Sequence, residues 1–414
     1  MTPRAAWLAA AFLALVTPVL MFPGALGYDN MLVAAAVGMV SLIVAIGLVH
    51  DMGRLVWPVA LLALASVNGW WRVPDNVNTL NHFCGLALGV LAMGTIAVWC
   101  RNRQTLAVAT SACLLLGGLA LGVGIRSVMP IHGTKAELTN PLTAPGNPAP
   151  LPLQALHARR SVNPNALGAM AMLILPIAAA VALTPAHGRG WSLMLRVLGA
   201  LTAIWSAIVV LLTQSRSVWL SAACLLVLLT LGWIRPRRRW WLLATSGAVL
   251  AASVWVMRDH PRMIDAAATV GARADIWRDG ISAWRTSPWF GIGFDYLRDS
   301  GLAMVRIAPD RMAGAPHAHN IFLQTALDVG LFGLVGYLAI IGFVLRRAVD
   351  LLTGSGVDAF ARYVGVGAAL SVVSVHVYGL FDAVPLGAKV GMFQWLSCGL
   401  VLAAWRMRTP PEET

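Results

Sequence analysis

Residues 197–234 read VLGALTAIWSAIVVLLTQSRSVWLSAACLLVLLTLGWI. Two apolar runs, each near the ~20 residues a helix needs to cross a bilayer, flank the turn Thr213-Gln214-Ser215-Arg216-Ser217. Arg216 is the only charged residue in the stretch. A pair of membrane spans joined by a very short connection follows.

The rest of the chain repeats this pattern. It has 414 residues, of which 58% are hydrophobic and 11% charged, against about 25% charged in soluble domains. A water-soluble enzyme, a disordered chain and a secreted disulfide scaffold are thereby excluded. Roughly 240 apolar positions (58% of 414) suffice for about twelve crossings at ~20 residues each. Apolar runs place them near 5–22, 31–49, 55–70, 82–100, 105–123, 165–184, 193–212, 217–234, 240–257, 320–345, 362–380 and 387–405. The first run, with Arg4 ahead of it and Gly24-Ala25-Leu26-Gly27 behind, imitates a signal peptide. In a chain that starts at Met1 it reads as an uncleaved first span. The expected fold is an all-α polytopic membrane protein with a large helical loop between spans 9 and 10, residues 1–414 forming a single integral membrane domain.

Orientation follows from the short loops. One side holds Arg4, Arg54, Arg101, Arg103, Arg189, Arg235, Arg237, Arg238, Arg239, Arg346, Arg347, Arg406 and Arg408. The other holds only Arg72, Arg216 and Lys389. Both termini are therefore predicted to be cytoplasmic, and much of the net charge of +13 is topological. It does not argue for nucleic acid. The cations are 28 Arg and two Lys, Lys135 and Lys389. That bias fits either genomic composition or a need for forked donors that bind phosphate in pairs. Cys84, Cys100, Cys113, Cys224 and Cys398 all lie in or beside apolar runs, which points to packing rather than disulfides.

Two long segments face outward in this topology. Residues 124–164 form a Pro-rich outer loop that proline prevents from being one regular helix. Residues 258–319 form a large outer loop, the biggest polar region of the chain, where Arg273–Thr286 is predicted to be helical and to lie at the membrane surface. Trp277 and Arg273 would sit there at headgroup depth beside Ile276 and Ile281, and Pro288-Trp289-Phe290-Gly291-Ile292-Gly293 would turn the chain.

Several outward-facing residues bear on chemistry. In Pro316-His317-Ala318-His319-Asn320, Asn320 stands where the N-cap of the tenth span belongs. His319 then lies at the positive end of a long helix, which favours neutral imidazole and attracts anions. A neutral histidine beside an anion site suits a general base; two ordinary interfacial histidines are the alternative. Gly330, Gly333 and Gly336 recur every three residues along that helix and read as a close-packing stripe. Arg216 sits on the side where topology gives no reason for a cation, and it either clamps a lipid-borne phosphate or snorkels from a helix end. Arg273 and Arg278 can bind an anion or pair with Asp275 and Asp279. Arg159 and Arg160, ahead of Asn163-Pro164-Asn165, can bind ligand or anchor to headgroups. Asp382 and Lys389 are unexplained and could pair with each other. Asp328 and His376 are the main ionisable candidates inside the membrane. With Glu137, Glu412 and Glu413 the only glutamates, and outer Asp residues mostly alternating with Arg, metal catalysis is not expected.

The chain resembles the bacterial O-antigen ligases. His319-Asn320 followed after nine residues by Gly330-Leu331-Phe332-Gly333 is similar to their signature. So are the Gln214-Ser215-Arg216-Ser217 turn and the stretch from Gly271-x-Arg273-x-x-x-Trp277 to Pro288-x-x-Gly291-x-Gly293. Ligases, O-antigen polymerases and protein O-oligosaccharyltransferases form one superfamily, whose members transfer glycans from undecaprenyl pyrophosphate on the periplasmic side. The resemblance implies a GT-C-like fold in the bacterial inner membrane and metal-independent, inverting glycosyl transfer without a cofactor. It further implies undecaprenyl-pyrophosphate-linked O-antigen as donor and lipid A–core as acceptor. The roles it carries over are a base for His319, with His317 as runner-up, and orientation by Asn320. Arg216 and Arg273, helped by Arg278, Arg159 and Arg160, would hold the pyrophosphate. A polymerase is the alternative within the superfamily, and a non-enzymatic transporter of lipid-linked glycan the alternative outside it. A transporter would show related halves and midplane charges; here polar residues crowd on one side.

Overall fold

The computed structural model describes residues 3–27, 30–128, 163–185, 191–213, 215–233, 244, 247, 266–308, 311–354 and 356–408. The first half comprises α1 (Pro3–Met21), α2 (Met31–Val49), α3 (Val56–Trp71), α4 (Val77–Trp99), α5 (Arg103–Val128), α6 (Pro164–Ala182), α7 (Trp191–Thr213) and α8 (Arg216–Trp233). After it come α9 (Ala266–Arg285), the single turn α10 (Tyr296–Asp299), strands β1 (Met304–Ala308) and β2 (Arg311–Gly314), α11 (Ile321–Thr353), α12 (Ala359–Tyr378) and α13 (Met392–Arg406).

Among the described residues, seven stretches are long and apolar enough to cross a membrane. One of them, Met31–Trp71, contains both α2 and α3. A 3₁₀ turn over His50–Leu55 divides it, and Gly53 leaves helical geometry there (φ 59°, ψ −103°). Ala6–Met21 and Arg216–Leu228 are shorter apolar helices. The predicted span 240–257 falls almost wholly outside the described residues, and most of the Pro-rich segment 124–164, with Arg159 and Arg160, falls outside them as well. The chain is a helical membrane protein, and twelve crossings remain an expectation.

Sequence explains where helices begin. Asn76 accepts backbone N–H bonds from Asn78 and Thr79 to start α4, and Asn163 accepts one from Asn165 to start α6, with Pro164 in the first turn. Large apolar side chains stand fully outward, as Leu201 and Leu211 do on α7, a cost in water and a gain in lipid. Inside the bundle, hydroxyls return to their own helix: Ser66 donates to the Leu62 carbonyl and Thr95 to that of Leu91. All five cysteines are free thiols, four of them buried. The intramembrane His376 is also satisfied, accepting or donating at Nε2 with the Tyr337 hydroxyl (2.9 Å), which in turn receives Gln394 at 2.7 Å.

Two expectations need correction. The segment between α8 and α11 is not wholly helical: β1 and β2 form an antiparallel hairpin pairing Met304 with Gly314 and Arg306 with Met312. Its helical part, α9, starts at Ala266, earlier than predicted. Ile276, Ala283, Ile292, Leu297, Ala315 and Ala318 close a small core of their own. That core seats the loop before α11. Secondly, Gly330 is not part of a regular packing stripe. Gly333 and Gly336 do approach α3, but Gly330 breaks α11 with φ 69° and ψ −173°. A Cβ at 330 would run into the Trp289 carbonyl. The break lets the Pro288–Gly291 turn enter, so that Leu331 N–H donates to the Pro288 carbonyl and Ile292 N–H to that of Leu327. Only glycine combines that backbone angle with so close an approach.

Candidate active site

The site grows from the start of α11. Asn320 adopts an extended conformation and its carboxamide oxygen accepts the N–H groups of Phe322 and Leu323, both at 3.0 Å. Its amide donates to the Leu380 carbonyl, while Ile321 N–H donates to that of Gly379. The top of α11 is thus tied to the end of α12. His319, one residue earlier, lies in the left-handed region at φ 48°. A non-glycine residue held there is strained, by roughly 1–3 kcal/mol, and needs surroundings that over-determine it.

Those surroundings are specific. Asp382, on the connection after α12, is 1% exposed and lies with Oδ1 3.1 Å from His319 Nδ1. Oδ1 also accepts Ala383 N–H at 2.9 Å, and Oδ2 accepts the Asn165 amide at 2.8 Å. His317 places Nε2 3.6 Å from the same Oδ1, and the two rings stand 4.2 Å apart. His319 N–H donates to His317 Nδ1 at 3.2 Å, which makes that nitrogen an acceptor and leaves the His317 proton on Nε2. Burial opposes ionisation of Asp382. The His319 bond, the neighbouring imidazoles and Ala383 N–H outweigh it, and hold the carboxyl well below the usual carboxylate range. Burial pushes His317 down to about 4; Asp382 opposes this, while His319, Arg298 and Arg273 add to it.

With a carboxylate on Nδ1, His319 donates there and its Nε2 lone pair is unclaimed among the described residues. A carboxylate-oriented imidazole with one open nitrogen can accept a proton. The same three side chains are a donor set that could hold a cation, their ligand atoms lying within 4.8 Å of one another. The Asp382–His319 spacing is also that of a direct hydrogen bond.

Polar groups behind these three side chains fix the loop. Ala318 N–H donates to Gln324 Oε1 at 2.7 Å, and Gln324 Nε2 to Asp328 Oδ1 at 2.8 Å. Asp295 N–H reaches the same oxygen at 3.3 Å. Arg298 bridges Asp295 (3.3 Å) and the Pro316 carbonyl (3.4 Å).

The predicted arginines divide. Arg273 is near enough to act electrostatically on His317. Arg278 instead lies on the exposed face of α9, paired with Asp275 at 3.0 Å. Arg216 is half-buried at the first turn of α8, and Ser221 farther along donates to the Ser374 carbonyl, which docks α8 on α12 below Asp382. Arg159 and Arg160 lie outside the described residues. Sequence reading missed Asn165 and Arg298, and the pairing it allowed between Asp382 and Lys389 does not form: Lys389 stands over the Phe22 ring at 4.6 Å.

Residues 201–338 match a family model described as O-antigen ligase (Wzy_C). The match takes in Arg216, Arg273, His317 and His319 and ends before Asp382. No curated protein matches the chain. The matched region is about a third of the chain.

Proposed function

We propose that the protein is an O-antigen ligase of the bacterial inner membrane. In this reading it moves O-antigen glycan from undecaprenyl pyrophosphate to a sugar hydroxyl of lipid A–core, at the periplasmic face. The observation that carries it is the His319–Asp382 pair at the tip of α11. His319 Nε2 takes the proton of the acceptor hydroxyl. The freed oxygen forms a bond to the anomeric carbon as the bond from that carbon to the pyrophosphate oxygen breaks on the opposite face, inverting its configuration. The electron pair leaves with the pyrophosphate, whose charge Arg216 and Arg273 neutralise. Asp382 keeps the proton of His319 on Nδ1 and stabilises the imidazolium that forms. His317, with Nδ1 accepting a backbone N–H, holds the His319 backbone in its strained conformation.

Purified protein, lipid-linked donor and rough lipopolysaccharide, mixed without ATP, test this reading. Glycan on lipid A–core is the expected product. Lengthened lipid-linked donor would identify a polymerase, and no transfer at all would favour a transporter.

A further inference from the structure

A cavity of about 260 Å³ opens between α1, α4 and the start of α13, with Asp295, Arg298 and Lys389 in its lining. It is close to the lower end of small-molecule sites, ~300 Å³, and so has room for the end of a glycan but not for a whole chain. Asn78, Asn81, His82 and Gly85, spaced i, i+3, i+4 and i+7, present one face of α4 to it. Lys389 and Arg298 stand on its walls, with Leu20, Met21 and Met392 completing the lining. Gly85 and Gly387 make the shape possible. They cross so closely that a Cβ on either would strike the other element's backbone.

The lining specifies a ligand chemistry. His82 Nδ1–H donates to the Leu386 carbonyl at 3.0 Å, so Nε2 is an acceptor. Two carboxamides add donors and acceptors, a set that matches adjacent sugar hydroxyls. Arg298 is balanced by Asp295 at 3.3 Å, whereas Lys389 is exposed and has no carboxylate partner among the described residues. The walls therefore carry one uncompensated positive charge. The cavity also borders the chemistry, because Arg298 donates to the carbonyl of Pro316, next to His317. Its walls α1 and α4 pack with α2 and α13, while the helix of Arg216 packs with α6 and α12.

We propose that this cavity binds the acceptor, as a hydroxyl-rich saccharide bearing phosphate, with Lys389 on the phosphate and Asn78, Asn81 and His82 on the hydroxyls. This rests on the ligase reading above and names the place of its second substrate. The donor, held by Arg216 and Arg273, would then enter from a different set of helices.

Titration of full-length protein in lipid nanodiscs tests the assignment without turnover. The probes are lipid A–core as isolated, the same material after enzymatic removal of its phosphates, and the lipid-linked donor. Wild type is expected to bind the phosphorylated acceptor, and Lys389→Gln to weaken that binding about tenfold or more, the scale of a charge-assisted hydrogen bond. Dephosphorylated acceptor should bind wild type and Lys389→Gln alike. Asn81→Asp, which adds a negative charge to the lining, should weaken the phosphorylated form most. No acceptor binding by wild type, or equal binding by wild type and both variants, overturns the proposal. Weakened donor binding in its place puts donor glycan in the cavity and overturns it equally. A wild type that binds acceptor with this dependence but transfers nothing supports the cavity and sinks the ligase reading instead.

Discussion

His319 Nδ1 lies 3.1 Å from Asp382 Oδ1 across 63 residues of sequence. The carboxylate is itself fixed by Asn165, which comes from a third helix. Three elements that meet only in the folded bundle thus decide which nitrogen of His319 carries the proton.

His319→Ala should lower transfer by about 10²–10⁴-fold, the range for loss of a positioned base, while the protein still inserts and folds. Gel analysis of lipopolysaccharide from cells carrying the variant reads this directly: rough chains are expected. Smooth lipopolysaccharide at normal levels would remove His319 from the mechanism.

Asp382→Asn should also impair transfer, on the order of 10²-fold or more, because an amide no longer selects the Nδ1–H tautomer. A structural role alone would leave the imidazole unchanged. Nitrogen NMR of histidine-labelled protein separates the two, with Nδ1 of His319 protonated in wild type and mixed between tautomers in the variant.

Stability should depend on pH through His317. Its pKa falls from 6.5 to about 4 on folding, so between those values the unfolded chain binds more protons than the folded one. Stability therefore drops as pH falls through that window and is flat above it. Asp382, with a lowered pKa, adds a loss of the same sign, but only at lower pH, as the solution becomes more acid than the ordinary carboxylate range. His317→Gln should flatten the loss of thermal midpoint between pH 6.5 and 4. An unchanged slope would contradict the burial of a neutral imidazole.

Arg273→Lys and Arg216→Lys should both weaken donor use, because an ammonium cannot make the paired contacts of a guanidinium. Arg278→Lys is the internal comparison. Its partner Asp275 is 63% exposed, and such surface pairs contribute about 0–1 kcal/mol. Donor KM in purified protein should rise for the first two and stay put for the third.

Chelation should leave the reaction intact. Prolonged treatment with EDTA, followed by transfer in metal-free buffer, is expected to give the untreated rate. A loss restored by one added divalent ion would assign the His317–His319–Asp382 group to that ion instead.

What could be read in the sequence was what depends on near neighbours. Asn320 announced a helix start, and that start positioned His319. Arg216 stood out because its turn is short and its side of the membrane otherwise bare of cations. Asp382 was visible as a lone acid between two spans, yet nothing local told its partner, and the nearby Lys389 was the tempting choice. Asn165 gave no sign at all, since its role exists only where α6 meets the connection after α12. Gly330 was misread for a different reason. A glycine chosen for its positive φ looks the same in sequence as Gly333 or Gly336, chosen for having no side chain. Arg273 and Arg278 lie on one helix with similar neighbours, and only the packing of α9 distinguishes them.

The break at Gly330 has a mechanical consequence. Below it, α11 is a long apolar shaft, and apolar spans tilt as a bilayer thickens or thins. Above it, the first two turns are laced to α12 through Ile321 and Asn320 and to Ile292 through Leu327. A joint of this kind lets the shaft lean without dragging the imidazole off its carboxylate, so transfer rates should vary little between vesicles of short-chain and long-chain lipids.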